Sequence, residues 1–196
     1  SSRKANNTIG AVLDLKSNDQ NILDKTKYGA TWFSNENPVE DFETHQVSNA
    51  KEFVVKLNEA KSGDVIDLTD GIYKISESLI IDKSITIQSE GEAEIRYQGL
   101  AQTPAVELHP YGKLTLKNIA LRGTHSQYAF ASLKKQMYNH FGLKVVDSEI
   151  SNFDYALKVY KQSFAEEILF ENTSISNCEN GIELSEEIND KGDSNT

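Results

Sequence analysis

When residue n is laid over residue n+25 in the C-terminal third of the chain, apolar positions fall on apolar positions. Leu143 meets Ile168, Val145 meets Phe170, Ile150 meets Ile175, Phe153 meets Cys178, Ala156 meets Gly181, Leu157 meets Ile182 and Val159 meets Leu184. The pair Ser151-Asn152 reappears unchanged as Ser176-Asn177. An offset of 29 carries the pattern one unit back, placing Leu114, Leu116 and Leu121 over Leu143, Val145 and Ile150, with the extra residues taken up in the segment 123–140. A unit of this length holds about three short strands and cannot hide its own inward face, so it must stack on copies of itself. Asn152 and Asn177 then fall at equivalent corners, where an Asn tolerates the turn conformation and can form an amide ladder from coil to coil.

The residues upstream of the repeat agree. Val65-Ile66-Asp67-Leu68, Gly71-Ile72-Tyr73-Lys74-Ile75, Leu79-Ile80-Ile81, Ser84-Ile85-Thr86-Ile87 and Ala93-Glu94-Ile95-Arg96-Tyr97 are short β-branched runs separated by Asp, Gly, Ser and Lys turns. None is followed by a helix-length pattern, which excludes a doubly wound α/β fold. One helix precedes them. Phe53, Val54, Leu57 and Ala60 recur at helical spacing, Ser48 can cap the first turn, Glu52 lies near its positive end and Gly63 supplies the stop. The expected architecture is all-β, a right-handed parallel β-helix with one N-terminal capping helix over 48–63 and the β-helix over 64–196. Residues 1–47, with the polar stretch Asn35-Glu36-Asn37-Pro38 and one aromatic anchor at Trp32, read as the end of a preceding domain plus a linker. The absence of an initiator Met before Ser1 fits a piece of a longer protein.

Charge and composition narrow the partners. No run approaches the roughly 20 apolar residues needed to cross a bilayer. A net charge of −10 argues against nucleic acid and anionic membranes, which require an excess of Lys and Arg. The charge is uneven, however. Residues 111–165 carry eight Lys or Arg against three acids, so the acidic total leaves room for a local basic surface. The single Cys178 reads as a small buried hydrophobe, and His45, His109, His125 and His140 show no metal-ligand spacing.

The run Ala60-Lys61-Ser62-Gly63-Asp64-Val65-Ile66-Asp67-Leu68-Thr69-Asp70-Gly71-Ile72-Tyr73 resembles the opening of β-helix lyases with the pectin-lyase-like solenoid that act on uronic-acid polymers. Leu157-Lys158-Val159-Tyr160-Lys161-Gln162-Ser163-Phe164-Ala165, with Cys178 to Ser185 and Asp190 to Asp193, resembles the second β-helix domain of the two-domain alginate lyases of polysaccharide lyase family six. That family comprises poly(β-D-mannuronate) lyases related to chondroitinase B. The resemblance implies a secreted or periplasmic enzyme that cleaves alginate by β-elimination. It also implies Ca²⁺ as neutraliser of the uronate carboxylate, Lys as base and Arg as acid, all in the preceding catalytic domain of the same chain. The part in hand would be the accessory second domain supporting the cleft. A different class, a non-catalytic carbohydrate-binding or adhesin-type β-helix, is the alternative. Upstream sequence separates the two, because a coil pairing Lys with Arg beside Asn and Glu ligands would mark the enzyme.

No catalytic residue or metal ligand is assigned in this chain. Lys161 resembles the position of the family's base, yet 161+25 is Glu186, which cannot supply a guanidinium and would hold a neighbouring ammonium in its charged form. Arg122-Gly123-Thr124-His125 precedes Lys161 in sequence, where the family's arginine and histidine follow the base. Glu186, Glu187, Asp190 and Asp193 form an acidic run whose spacing matches no calcium loop. The residues expected to contact substrate are Lys158, Tyr160 and Lys161 on the late strand and its turn, and Lys134, Lys135 and Tyr138 in the long excursion 124–140. There, cations for carboxylates and rings for sugar faces occur together.

Overall fold

The computed structural model describes residues 42–185. The readings made for residues 1–41 and 186–196, including Trp32 and the acidic run from Glu186, lie outside them. The described residues open with strand β1 (Thr44–Val47) and helix α1 (Ala50–Glu59). It continues through β2 (Val65–Leu68), β3 (Gly71–Ile75), β4 (Leu79–Ile81), β5 (Ser84–Tyr97), β6 (Pro104–Leu108), β7 (Lys113–Arg122) and β8 (Tyr128–Ser132). The last elements are β9 (His140–Val146), β10 (Glu149–Ser151), β11 (Tyr155–Val159), β12 (Phe164–Glu171), β13 (Ser174–Ser176) and β14 (Asn180–Leu184).

Every strand pairing is parallel and joins one coil to the next. The result is a parallel β-solenoid of about six turns with one short helix. Three walls run along it. The first holds β1, β2, the first half of β5, the first half of β7, β9 and β12; the second holds β3, the second halves of β5 and β7, β10 and β13; the third holds β4, β6, β8, β11 and β14.

The pairing anticipated from the sequence is present residue for residue. Leu143 pairs with Ile168 and Val145 with Phe170, Ile150 with Ile175, and Leu157 with Ile182. The longer offset holds as well, with Leu114 opposite Leu143 and Leu121 opposite Ile150. One apolar row therefore climbs each wall: Ile66, Ile87, Leu116, Val145 and Phe170 on the first; Tyr73, Ile95, Leu121, Ile150 and Ile175 on the second; Leu79, Val106, Phe130, Leu157 and Ile182 on the third. Most of these side chains are buried in a single core, and each fully buried Leu, Ile or Phe contributes on the order of 1.5–3 kcal/mol. Ser132 sits in an otherwise apolar row beside Leu108. Its hydroxyl is satisfied by the Tyr160 N–H at 2.8 Å and the Ser163 hydroxyl at 2.8 Å.

The structure alters several local expectations. The helix is shorter than 48–63 and its N-cap is Asn49, whose side chain accepts from the Glu52 N–H at 3.0 Å, while Glu52 reaches back to the Ser48 N–H at 2.9 Å. Phe53, Leu57 and Ala60 are buried as the periodicity requires. Thr44–Val47, read with the linker, pairs with β2 and belongs to the stack. Asn152 and Asn177 both adopt the left-handed backbone expected at a corner. The side-chain ladder lies at another corner, where Asn172 Nδ2 donates to Asp147 Oδ1 at 2.7 Å and Asn118 donates to the Ser89 and Gly91 carbonyls of the preceding coil. Among the described residues no hydrogen bond joins the amides of Asn152 and Asn177. The excursion is also shorter than 124–140, because Tyr128–Ser132 forms strand β8 with all five residues buried.

Asp64 fastens the entry to the stack. Its carboxylate accepts from the Lys61 N–H at 2.8 Å and the Glu43 N–H at 3.0 Å, and His45 Nε2 lies 3.0 Å away. The His45 bond, helped by the two backbone donors and acting against burial, holds the carboxyl down to about 2. A value below the ordinary 3.8 means that this stabilisation is complete above that pH and is lost as pH falls from about 4 to about 2. Asp64→Asn should flatten that part of the acid limb of a melting-temperature profile and lower the melting temperature at neutral pH; an unchanged acid limb would place the dependence elsewhere.

Candidate functional site

Along β8 and β11 the burial pattern breaks strict alternation. Ala129 and Phe130, like Ala156 and Leu157, are consecutive buried residues. The doubled inward step leaves Tyr155 and Lys158 on the same outer side of the third wall, although they are three apart. Tyr128 pairs with Tyr155 in register, and their rings meet edge to face at 5.3 Å. Lys158 has small Ala131 opposite it on one side and Glu183 on the other.

Lys158 is the centre of this surface. Its Nζ stands 4.0 Å from the Tyr155 ring centroid, 5.4 Å from that of Tyr128 and 5.9 Å from that of Tyr160. Glu183 Oε1 lies 3.5 Å from it, and the Lys158 side chain is only 18% exposed. Burial pulls the ammonium downward, but Glu183 and the two nearer phenols outweigh it and hold its pKa above the ordinary lysine value. Glu183 is held below the usual carboxylate range, with hydrogen bonds from Tyr155 and Ser185 and the charge of Lys158 overcoming burial. Tyr155 is raised, chiefly by its bond to Glu183, and Tyr160 is raised mainly by burial. A lysine held this firmly in its charged form is a fixed cation and a poor proton acceptor.

The expected contact residues divide into two groups. Lys134 Nζ lies 5.7 Å from the Tyr160 ring, so Lys134, Tyr160 and Lys158 form one cation–aromatic cluster. Lys135 and Tyr138 are exposed in the excursion that follows β8, and Lys161 is exposed in the turn after β11. Those two segments are neighbours, tied by the Met137 N–H donating to the Gln162 carbonyl at 3.1 Å and anchored by the buried Met137 side chain. Tyr155 was missed by the sequence reading. Strand alternation places it inward beside Leu157, and only the doubled inward step turns it out. Its alignment with Tyr128 one coil earlier is the signal that could have found it.

A broad concavity lies elsewhere, across the outer side of the second wall, with a volume of about 1130 Å³. It is lined by Asp70, Glu92, Glu94, Asp147 and Glu149 around Arg122. Arg122 Nε lies 3.2 Å from Glu94 and its Nη2 3.3 Å from Glu149, so the guanidinium is already neutralised. His125 is exposed at the next corner, with its N–H bonded to the Asn152 carbonyl. The acidic groove has the wrong sign for a polyuronate. It also does not fit Ca²⁺: Asp147 accepts from Asn172, Asp70 from the Glu92 N–H, and Glu94 and Glu149 are engaged by Arg122. No group of three or more His, Cys, Asp or Glu side chains arranged to hold a metal occurs among the described residues. Cys178 is half-buried, and burial pushes its thiol up, away from a reactive thiolate.

The fold and this surface define a parallel β-solenoid with a cation–aromatic outer wall. No protein-family model matches the chain, and no curated protein does. Among solved structures it is similar to the PL6 family alginate lyase AlyGC in a form carrying one arginine-to-alanine substitution, with a TM-score of 0.62 and 22% identity over 77% of this chain and 23% of that one. The unsubstituted AlyGC matches with a TM-score of 0.59 and 21% identity over 78% of this chain and 23% of that one. At this identity the likeness establishes the shared solenoid fold, and this chain spans about a quarter of the lyase it matches.

The cluster makes a signed prediction. The charge of Lys158 lowers the Tyr155 phenol, so Lys158→Met should move ionisation of Tyr155 to higher pH, as read by ring-labelled tyrosine resonances. An unchanged or lower value would mean that the two groups are not in contact in solution.

Proposed function

We propose that this chain is the accessory second β-helix domain of an alginate lyase, contributing a polyuronate-contacting surface to the enzyme rather than a catalytic centre. The observation that carries the reading is the solenoid likeness to AlyGC. The Lys158, Tyr160 and Lys134 cluster supports it, since it adds fixed cations and rings on one wall of an otherwise acidic chain.

β-Elimination from a uronate needs its carboxylate neutralised, a base to remove the proton at C5 and an acid to protonate the leaving oxygen. The residues at hand are poor candidates for that division of labour. Lys158 is held charged, Arg122 is locked between two carboxylates, and Glu186, 25 residues after Lys161 in sequence, lies outside the described residues. Calcium, if the intact enzyme uses it, is assigned to no residue of this chain.

The full 196-residue chain, incubated with alginate and Ca²⁺, should release no unsaturated uronate detectable by ultraviolet absorbance. It should nonetheless bind alginate with an affinity that falls as salt rises, and the double reversal Lys134→Glu with Lys135→Glu should weaken that binding roughly tenfold at low ionic strength. Turnover abolished by Lys161→Ala would overturn the accessory role. Failure to bind alginate at any ionic strength would overturn the polyuronate contact.

A further inference from the structure

At the corner where the third wall passes into the first, three successive coils each present an exposed ring. Phe164 pairs in register with His140, and their rings meet edge to face at 6.1 Å. Tyr111, one coil earlier, donates its N–H to the His140 carbonyl at 2.9 Å. Tyr111 is 67% exposed and Phe164 51%, and Tyr138, two residues before His140, is 85% exposed. Exposed rings gathered at one place, unlike rings scattered singly, mark a contact surface. Tyr111 is held, moreover, at a left-handed φ of 69°, a conformation suited to glycine and unfavourable for a bulky residue.

The electrostatics of this corner are opposite to those of the rest of the chain. The segments 109–113, 133–141 and 160–165 carry Lys113, Lys134, Lys135 and Lys161 and no Asp or Glu, while the preceding turn of the same corner holds Asp82 next to Lys83. The acids flanking them in sequence are already engaged, Glu107 by His109 at 2.6 Å and Glu166 by Lys113 at 2.7 Å. Lys135 and Lys161 are exposed in the two turns that lead into His140 and Phe164.

We infer that Tyr111, His140 and Phe164 form an aromatic rail for one acidic polysaccharide chain running parallel to the solenoid axis, with Lys135 and Lys161 pairing its carboxylates. Coils in a parallel stack are spaced about 4.8 Å apart, so the three residues climb along the solenoid axis, the direction a linear oligosaccharide touching all three must follow. Rings supply the apolar faces that sugars stack on, and ammonium groups favour a polyuronate over a neutral glycan. The inference rests on the polyuronate reading above and adds to it the binding edge and the orientation of the bound chain.

The test is titration of the full chain with an alginate oligosaccharide and with a neutral β-linked glucan of equal length. Wild-type protein is compared with the double variant Tyr111→Gly with Phe164→Thr. Glycine suits the backbone at position 111 and threonine suits a strand, so a melting temperature close to that of wild type confirms that the fold is retained. The expected result is alginate binding that exceeds glucan binding and falls roughly tenfold or more in the variant. Alginate binding that the variant retains would reject the rail and leave the accessory-domain reading standing. Wild-type protein that binds no alginate would overturn both.

Discussion

The whole structure depends on like side chains stacking on like side chains from coil to coil. No single coil can cover its own inward face, because three short strands wrapped once enclose a core only when the coils above and below close it. The rows from Ile66 to Phe170 and from Leu79 to Ile182 meet that requirement with uninterrupted apolar contacts. Parallel pairing follows from the winding, and the backbone ladder follows from the pairing. The outer surface is then left free to vary, provided the inward positions stay apolar.

That division explains what could be read from the sequence. The offsets of 25 and 29 were legible because inward residues must match in kind, and Leu143, Val145 and Ile150 found their partners in both directions. Strand β8 was not legible. Tyr128-Ala129-Phe130-Ala131-Ser132 has no polar alternation, since its outward Ala131 is covered by larger neighbours and its inward Ser132 is satisfied by the turn at Tyr160. The N-cap was misplaced by one residue, because Ser48 and Asn49 are both good capping types and only the backbone geometry selects Asn49.

The candidate site was legible in its chemistry more than in its shape. Lysines and tyrosines were visible as types suited to a uronate polymer, and Lys134, Lys158 and Tyr160 do converge. Tyr155 escaped notice because a local break in alternation decides which side it faces. Tyr111, His140 and Phe164 are far apart in sequence and flanked by unrelated residues, and only the closure of the corner brings them into line. The acidic groove, by contrast, holds Arg122 between Glu94 and Glu149 and otherwise presents like charge to a polyanion.

The unequal lengths of successive coils have a consequence of their own. Apart from a one-residue slip at Glu166 within β12, register on the walls is kept, so longer insertions are absorbed where the chain bends, as in the stretch between β8 and β9. Such a molecule behaves as a graduated ruler: the marks along its edge are set by the backbone, and evolution can change what is mounted at each mark without altering the spacing between them.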